Sequence, residues 1–475
     1  MSGRSRLLVF VACVLGVSGW IVAAVLVWKV PRQLEPSPPA ITEENKIAPL
    51  FREWTSHPQL AGSLVAFCVL DEDGQTLFAS SLAETALCPA SALKIVTTGA
   101  ALGVLGPEFR FETTLLATAP MGDAGRVGGD VVLVGGGDPT FSQEDLAQLA
   151  DAAIAAGLKS VAGVVRADTS HFPADPVSEH WNWGDVGNGY GAGAFGLNLD
   201  HNRLALRFEP GAQAGEPARF LGGVQVAAGT RWENHVVTGG RGSGDNVVVY
   251  SEPYGRVITM RGTVPAGADV FTVSAANPDP PAVAAELLRA RLEEAGVEFE
   301  SGAGLVSNEE KTVLARHHSA PLAEIIEHTH AASDNLEAQC LFLMVGLRQG
   351  APPVKAVRDY WTRAGVNFVA LRLIDGSGLA RANMIRPLDL ARVALAARRG
   401  PHGQLFFESL SSYVQGHARG KIGGMSGVKT QVGYLRHTDG RELTYALMGN
   451  GLAPGREFWG RLEELLEAVR VTPLQ

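Results

Sequence analysis

Leu7 to Trp28 is an apolar run without a charged residue, and no later part of the chain repeats that texture. A run of this length is about what a helix needs to cross a bilayer. Arg4 and Arg6 precede it, which favours a cytoplasmic N-terminus; a cleaved signal peptide is the alternative, although the run is long for one. The pattern therefore predicts a cytoplasmic tail over 1–6, a transmembrane anchor over 7–28 and a proline-rich stalk over 29–45, with the remainder outside the cytoplasm. That makes the expected location the cytoplasmic (inner) membrane, single-pass, with the catalytic part periplasmic.

Beyond the stalk the apolar positions come in short blocks between turn residues. Lys46 to Trp54 reads as a helix. Ser63 to Leu70 and Gln75 to Ser80 read as strands joined at Asp73-Gly74. A helix beginning near Ser91 is apolar on nearly every side, as a buried central helix must be, and Gly106-Pro107 ends it. The C-terminal end mirrors this beginning. Gln431 to Arg436 and Glu442 to Met448 read as strands across Asp439-Gly440, followed by a helix with Phe458, Leu462, Leu465, Leu466 and Val469 on one side. Strands from both ends predict one antiparallel sheet, with the terminal helices on one face and the helices between Pro281 and Gly346 on the other. The expected fold class is α/β, a three-layer α/β/α sandwich with a central antiparallel sheet.

Between these ends, from about Thr114 to Ala275, the chain is Gly-rich and strand-rich; Gln143 to Ala156 reads as one helix there, N-capped by Ser142. This predicts an inserted strand-rich region over 115–275, with 46–114 and 276–475 forming the discontinuous main domain. Gly135-Gly136-Gly137-Asp138 lacks the Gly-Lys-Ser/Thr of a phosphate loop and reads as a tight structural turn.

Composition narrows the possibilities. The 475 residues are 46% hydrophobic, enough for a large core. A net charge of −9 with no basic stripe excludes nucleic acid as a partner class. Cys68, Cys88 and Cys340 follow the apolar run, no C-x-x-C pair exists and the 12 histidines are scattered. His328 and His330, two apart, would face different ways on a helix. No metal site and no cofactor are expected, and the oligomeric state is left open.

Three short motifs carry the chemistry: Ser91-Ala92-Leu93-Lys94, Ser333-Asp334-Asn335 and Lys421-Ile422-Gly423. Ser91 should sit at the start of the buried helix, where backbone N–H groups favour developing negative charge. Lys94 is one turn on, on the same face. A free lysine is a poor base at neutral pH, but burial and a neighbouring cation would lower its pKa and let it take the serine proton. Taken alone, Ser and Lys three apart reads equally as a helix cap with a solvated lysine. Ser333-Asp334-Asn335 lies between two helices; it reads either as an ordinary turn or as Ser333 placed beside Lys94 as proton relay, with the Asn335 amide holding substrate. Lys429-Thr430-Gln431 competes for the third motif. A strand edge that accepts a peptide needs small residues so that backbone can approach backbone, and Lys421-Ile422-Gly423-Gly424 supplies them. Lys421 is therefore the expected cation, Gly423 and Gly424 the substrate edge, and the N–H groups of Ser91 and Gly424 the expected oxyanion hole.

With these residues in place the chain resembles the D-alanyl-D-alanine carboxypeptidase/endopeptidase family, the low-molecular-mass class C penicillin-binding proteins. Pro89-Ala90-Ser91 through Lys94 to Leu105-Gly106-Pro107 is similar to its nucleophile block. Gly135-Gly136-Gly137-Asp138-Pro139, Gly163 to Phe172, Asp375-Gly376-Ser377-Gly378-Leu379 and Gly433-Tyr434 resemble other recurrent blocks. The resemblance implies peptidoglycan stem peptides as substrate, β-lactams as acylating ligands, Ser91 as the acylated nucleophile and Lys94 as its base. It further implies that Ser333, Asn335 and Lys421 complete the site. Ile422 stands where the family usually has threonine, Gln339 where it usually has an acid, and the segment before Lys421 is short. Ile422 and the short segment motivate an alternative, a catalytically impaired peptidoglycan-binding protein that keeps the fold; an esterase or β-lactamase is a third reading.

Overall fold

The computed structural model describes residues 9–15, 21–27, 46–224, 226–300, 311–455 and 457–474. They fall into two units, 1–44 and 45–475. In the first, Val9–Leu15 and Ile21–Val27 are antiparallel strands, with Val9 opposite Val27 and Leu15 opposite Ile21. The expected transmembrane helix is corrected over these residues, and among the described residues no helix is long and apolar enough to cross a membrane. Valine recurs through both stretches, and β-branched side chains favour extended backbone. The tail expected over 1–6 and the stalk expected over 29–45 lie outside the described residues.

The second unit is organised around a six-stranded sheet. Its strands are β1 (Leu64–Leu70), β2 (Thr76–Ala79), β3 (Ser411–Tyr413), β4 (Ala418–Met425), β5 (Val428–Arg436) and β6 (Glu442–Asn450), in the order β3-β4-β5-β6-β1-β2 and antiparallel throughout. Side chains alternate between its faces, as the pleat requires. Phe67, Val69, Leu443, Tyr445 and Leu447 meet α1 (Ile47–Thr55) and the last helix, Phe458–Val471, through Phe51, Trp54, Leu462 and Leu466. Ala66, Cys68, Leu70, Val432, Tyr434, Ala446 and Met448 meet the opposite helical layer. The three-layer α/β/α arrangement is thus present, with the terminal helices together on one face.

The second helical layer is centred on α2 (Lys94–Leu105), whose residues from Lys94 to Leu102 are all buried. It is tied in by close contact: Trp361 Nε1 donates to Val96 O at 2.9 Å, and a Cβ at Gly99 would stand 2.8 Å from the Trp361 ring. Helices α3 (Leu322–Ala331), α4 (Asn335–Gln349) and α5 (Pro387–Arg399) pack in the same layer, as does helix Pro353–Arg363, which carries Trp361. Helix Pro280–Glu294 does not join them, contrary to the expectation for all helices from Pro281 to Gly346. It packs with Gln143–Ala155 on a four-stranded sheet ordered Thr312–His318, Glu112–Ala117, Val131–Val134, Val165–Asp168. The reason is pairing: Thr312–His318 returns to lie antiparallel to Glu112–Ala117, so the chain leaves this region only after His318. Two three-stranded sheets, Arg203–Glu209 with Arg219–Gly223 and Phe271–Ala276, and Arg231–Gly239 with Asn246–Tyr250 and Val257–Pro265, share a further small core. Ser142 caps Gln143–Ala155 in a capping box with Asp145. The Gly135–Gly137 turn is structural: a Cβ at Gly135 or Gly136 would stand 2.2 or 2.1 Å from backbone oxygens of Gly196 and Glu112.

Candidate active site

Ser91 does not open α2 directly. It lies in a single 3-10 turn, Ala90–Leu93, and α2 begins at Lys94. The residue before it, Ala90, has φ +46°, and Ser333 has φ +55°. Non-glycine residues avoid this region at a cost of order 1–3 kcal/mol, and such strain concentrates where surrounding structure holds a functional group in place. Both strained residues flank the same cleft.

The motifs predicted from sequence converge there. Lys94 is fully buried. Its Nζ lies 3.0 Å from Ser91 Oγ, 2.6 Å from Asn335 Oδ1 and 2.8 Å from the backbone oxygen of Ser377. An ammonium would fill all three contacts with its three N–H groups. A neutral amine has two, which suit the Asn335 and Ser377 oxygens and leave its lone pair facing the Ser91 hydroxyl. Burial lowers the Lys94 pKa to about 7, with the Lys421 cation adding to the effect and Asp334, Asp375 and Glu337 opposing it. The geometry therefore supplies a serine hydroxyl aimed at an amine able to take its proton near neutral pH.

Lys421 holds the other wall. Its Nζ donates to Ser333 Oγ at 2.9 Å and to Ile422 O at 3.2 Å, and burial lowers its pKa to about 8. Ser333 is thus the partner of Lys421 rather than of Lys94, a correction to the relay expected from sequence: the left-handed turn at Ser333 turns its hydroxyl to β4, and Asn335, two residues on, reaches Lys94. Asn335 Nδ2 also donates to Tyr190 O at 2.8 Å, tying α4 to the inserted region. Lys429 lies elsewhere, over the Trp459 ring.

Strand β3 pairs only with Ala418 to Gly420, so among the described residues β4 from Lys421 to Met425 has no strand partner on its cleft side. Gly423 is buried against the serine turn, where a Cβ would stand 2.6 Å from both Ala92 N and Pro89 O; Gly424, by contrast, is exposed and lines the cleft. The cleft has a volume of 370 Å³ and is lined in part by Ser91, Ser333, Asn335 and Gly424.

Sequence reasoning left other wall residues unassigned. Asp185, Tyr190 and Arg381 line the same cleft. Ser377 supplies the third Lys94 contact through its backbone, and a backbone oxygen leaves no mark in side-chain identity. Its turn is held by Asp375, which accepts from the N–H groups of Ser377, Gly378 and Ala380 and from Trp181 Nε1. Gly378 has φ +85° and packs on Ala90 O. The Asp-Gly-Ser-Gly block was therefore the available signal. Cys88, three residues before Ser91, is buried and free, and burial raises its thiol pKa, so it is a packing residue and no nucleophile.

Comparison with known proteins adds a family. Residues 50–459 match the model of the D-Ala-D-Ala carboxypeptidase 3 (S13) family. A D-alanyl-D-alanine carboxypeptidase of Actinomadura sp. (strain R39) is 32% identical over 433 residues, 83% of this chain and 79% of that protein. The D-alanyl-D-alanine carboxypeptidase DacB of Haemophilus influenzae is 25% identical, over 83% of this chain and 87% of its own length. The crystal structure of penicillin binding protein 4 (dacB) from H. influenzae superposes with a TM-score of 0.76 at 21% identity, covering 89% of this chain and 98% of that one.

Proposed function

The chain belongs to the D-Ala-D-Ala carboxypeptidase 3 (S13) family of hydrolases, and on that premise we propose that it removes the terminal D-alanine of peptidoglycan stem peptides through a Ser91 acyl-enzyme. The observation that carries this reading is the fully buried Lys94 amine, 3.0 Å from Ser91 Oγ and with its pKa lowered to about 7.

In the proposed reaction neutral Lys94 takes the Ser91 proton as Oγ bonds to the carbonyl carbon of the penultimate D-alanine. The developing oxyanion lies between the N–H groups of Ser91 and Gly424. The C–N bond breaks as the Ser333 hydroxyl protonates the leaving amine and Lys421 reprotonates Ser333; D-alanine departs, and the proton held on Lys94 passes across the vacated cleft to Lys421, which leaves Lys94 neutral again. Water then adds to the ester, Lys94 accepting its proton, and Ser91 leaves with a proton restored. The unpartnered edge of β4 would take the substrate backbone as an added strand. With Ile422 in place of a hydroxyl, the exposed Arg381 guanidinium in the cleft wall is our candidate partner for the terminal carboxylate.

A β-lactam would acylate the same oxygen, a reading supported by a β-lactam complex of the H. influenzae protein, which shares this fold. Endopeptidase action on cross-links would use the same acyl-enzyme. An extracytoplasmic location belongs to the same proposal, supported by the apolar segment over 7–28 and by where peptidoglycan lies. The intact Ser91–Lys94–Asn335 geometry argues against the alternative of an impaired binding protein, whose motives were Ile422 and the short segment before Lys421.

Intact-mass spectrometry after penicillin exposure tests the reading. Wild type should gain one β-lactam mass and S91A none, and wild type should release D-alanine from a stem pentapeptide. Failure of wild type to acylate, with S91A folded alike, would sink the proposal.

A further inference from the structure

On the side of α3 and α4 away from the Lys94 contact, two imidazoles and a carboxylate converge. Glu337, in the first turn of α4, has a fully buried side chain. Its Oε1 lies 2.6 Å from Nδ1 of His328, in the last turn of α3, and 3.0 Å from Nε2 of His201, which comes from the inserted region. The three atoms all lie within 4.8 Å of one another. The second oxygen, Oε2, accepts from Thr329 Oγ1 at 2.9 Å, which fixes the carboxylate plane.

His201 is brought there by an unusual backbone. Asp200, His201 and Asn202 have φ +50°, +53° and +53°, three successive non-glycine residues in the left-handed region. Buried Asn202 holds the turn: its Oδ1 accepts from Leu199 N at 2.9 Å and its Nδ2 donates to Gly193 O at 2.8 Å. One partner would satisfy a buried carboxylate oxygen; here two imidazoles from separate elements meet on it. Their side chains remain 29% (His201) and 53% (His328) exposed, so an ion can reach them from solvent.

We propose that His201, His328 and Glu337 bind a divalent transition-metal ion, with Zn²⁺ the best chemical match, and that the ion clamps the inserted region to the catalytic helical layer. Two imidazoles and a carboxylate suit Zn²⁺ and its neighbours, whereas Ca²⁺ and Mg²⁺ favour oxygen sets. Zinc ligands at about 2.0–2.1 Å in a tetrahedron stand about 3.3 Å apart. The 2.6 and 3.0 Å separations are those of N–H···O bonds and open by about 0.7 and 0.3 Å when the ion replaces the bridging hydrogens. His328 Nδ1 and His201 Nε2 supply lone pairs, each neutral ring carrying its one proton on the other nitrogen and any proton in excess of that passing to solvent, and water takes the open position. Thr329 is the orienting group behind the carboxylate. Arg203 is a nearby cation, already paired with Asp334 at 2.5 Å. Through the Glu337 N–H, which donates to Asp334 Oδ1 at 2.9 Å, the clamp would stiffen the turn that carries Ser333 and Asn335. The proposal is independent of which acyl substrate the cleft accepts.

The test uses the full chain, stripped with chelator and titrated with Co²⁺ and then Zn²⁺. One equivalent of Co²⁺ should bind with a visible d–d spectrum of four- or five-coordinate type. Zn²⁺ should displace it and raise the melting temperature. H201Q and H328Q should each weaken binding by about tenfold or more and lose the Zn²⁺-dependent rise, while labelling of Ser91 by a fluorescent penicillin continues and certifies that both variants fold. Absence of Co²⁺ binding at roughly 100 µM metal, far above the range of a built zinc site, overturns the proposal. So does binding of equal strength in wild type and both variants, the behaviour of scattered surface histidines.

Discussion

At the scale of single residues, the charge state of two lysines decides what the cleft can do. In the proposed reaction Lys94 is neutral to accept a proton and Lys421 charged to stabilise negative charge, and their pKa values are lowered to about 7 and about 8. The pH profile of β-lactam acylation should therefore be a bell, rising through about 7 and falling above about 8, with both limbs far below the range of free lysine. A profile flat from pH 6 to 10 would contradict this assignment. Stability gives an independent check with a definite sign. Because the folded-state pKa lies below the unfolded value, the native state carries the full penalty of a buried ammonium below about pH 7, and the penalty shrinks as pH rises toward the unfolded value near ~10.4. K94M should therefore abolish acylation yet raise the melting temperature most at pH 6, the gain diminishing toward pH 10. Ile422 poses a second residue-level question. A threonine there would restore a hydroxyl able to donate to a carboxylate, a bond worth about 1.5–3 kcal/mol. I422T should lower KM for stem pentapeptide by about tenfold or more, its hydroxyl adding to the proposed Arg381 contact, and leave acylation by β-lactams lacking an equivalent carboxylate contact little changed; equal kinetics for the two proteins would mean that the hydroxyl adds nothing to what Arg381 supplies.

At the scale of elements, the serine turn and β4 act as a matched pair, because glycine lets one backbone rest on the other. A Cβ at Gly423 would press on Ala92 N and Pro89 O, both backbone atoms that cannot swing aside. G423A should move the Ser91 turn off β4 and slow penicillin labelling by about 100-fold, the order expected when a reacting atom is displaced by about 1 Å. G424A, at an exposed position, should label far more readily; similar loss in both would mean that the edge itself, and no turn contact, is being blocked. Much of this element level was legible in the sequence. The period-two strands at both chain ends, the all-round apolar helix after Ser91 and the small residues at Lys421–Gly424 each have a local physical cause. What stayed hidden was set by distance along the chain. Nothing local to Pro280–Glu294 distinguishes a helix packed on the main sheet from one packed on Glu112–Ala117; the pairing of Thr312–His318 decides it. Ser333 could not be assigned to Lys421 over Lys94 without the positive φ of its turn. His328 could be weighed only against His330, two residues on, because His201, which meets the same Glu337 oxygen, belongs to the inserted region.

At the scale of the whole molecule, the inserted region is built into the site. Tyr190 O accepts from the Asn335 amide, Arg203 pairs with Asp334, and Trp181 Nε1 donates to Asp375 Oδ2 at 2.8 Å with that carboxylate fully buried. The last contact reaches furthest into the chemistry. Asp375 gathers the N–H groups of Ser377, Gly378 and Ala380, and the turn so formed delivers the Ser377 oxygen to Lys94 and sets Gly378 beneath Ala90. W181F keeps most of the buried ring volume and removes one hydrogen bond to a charged group, a loss of about 1.5–3 kcal/mol. Urea denaturation should register that loss. If the inserted region were only a passive neighbour, acylation of the folded variant would proceed at the wild-type rate. If it positions the turn, the acylation rate should fall and the rising limb of the pH profile should shift, because the Lys94 amine loses a well-placed acceptor for its N–H. A variant with reduced stability but an unchanged rate and pH profile would confine Trp181 to packing.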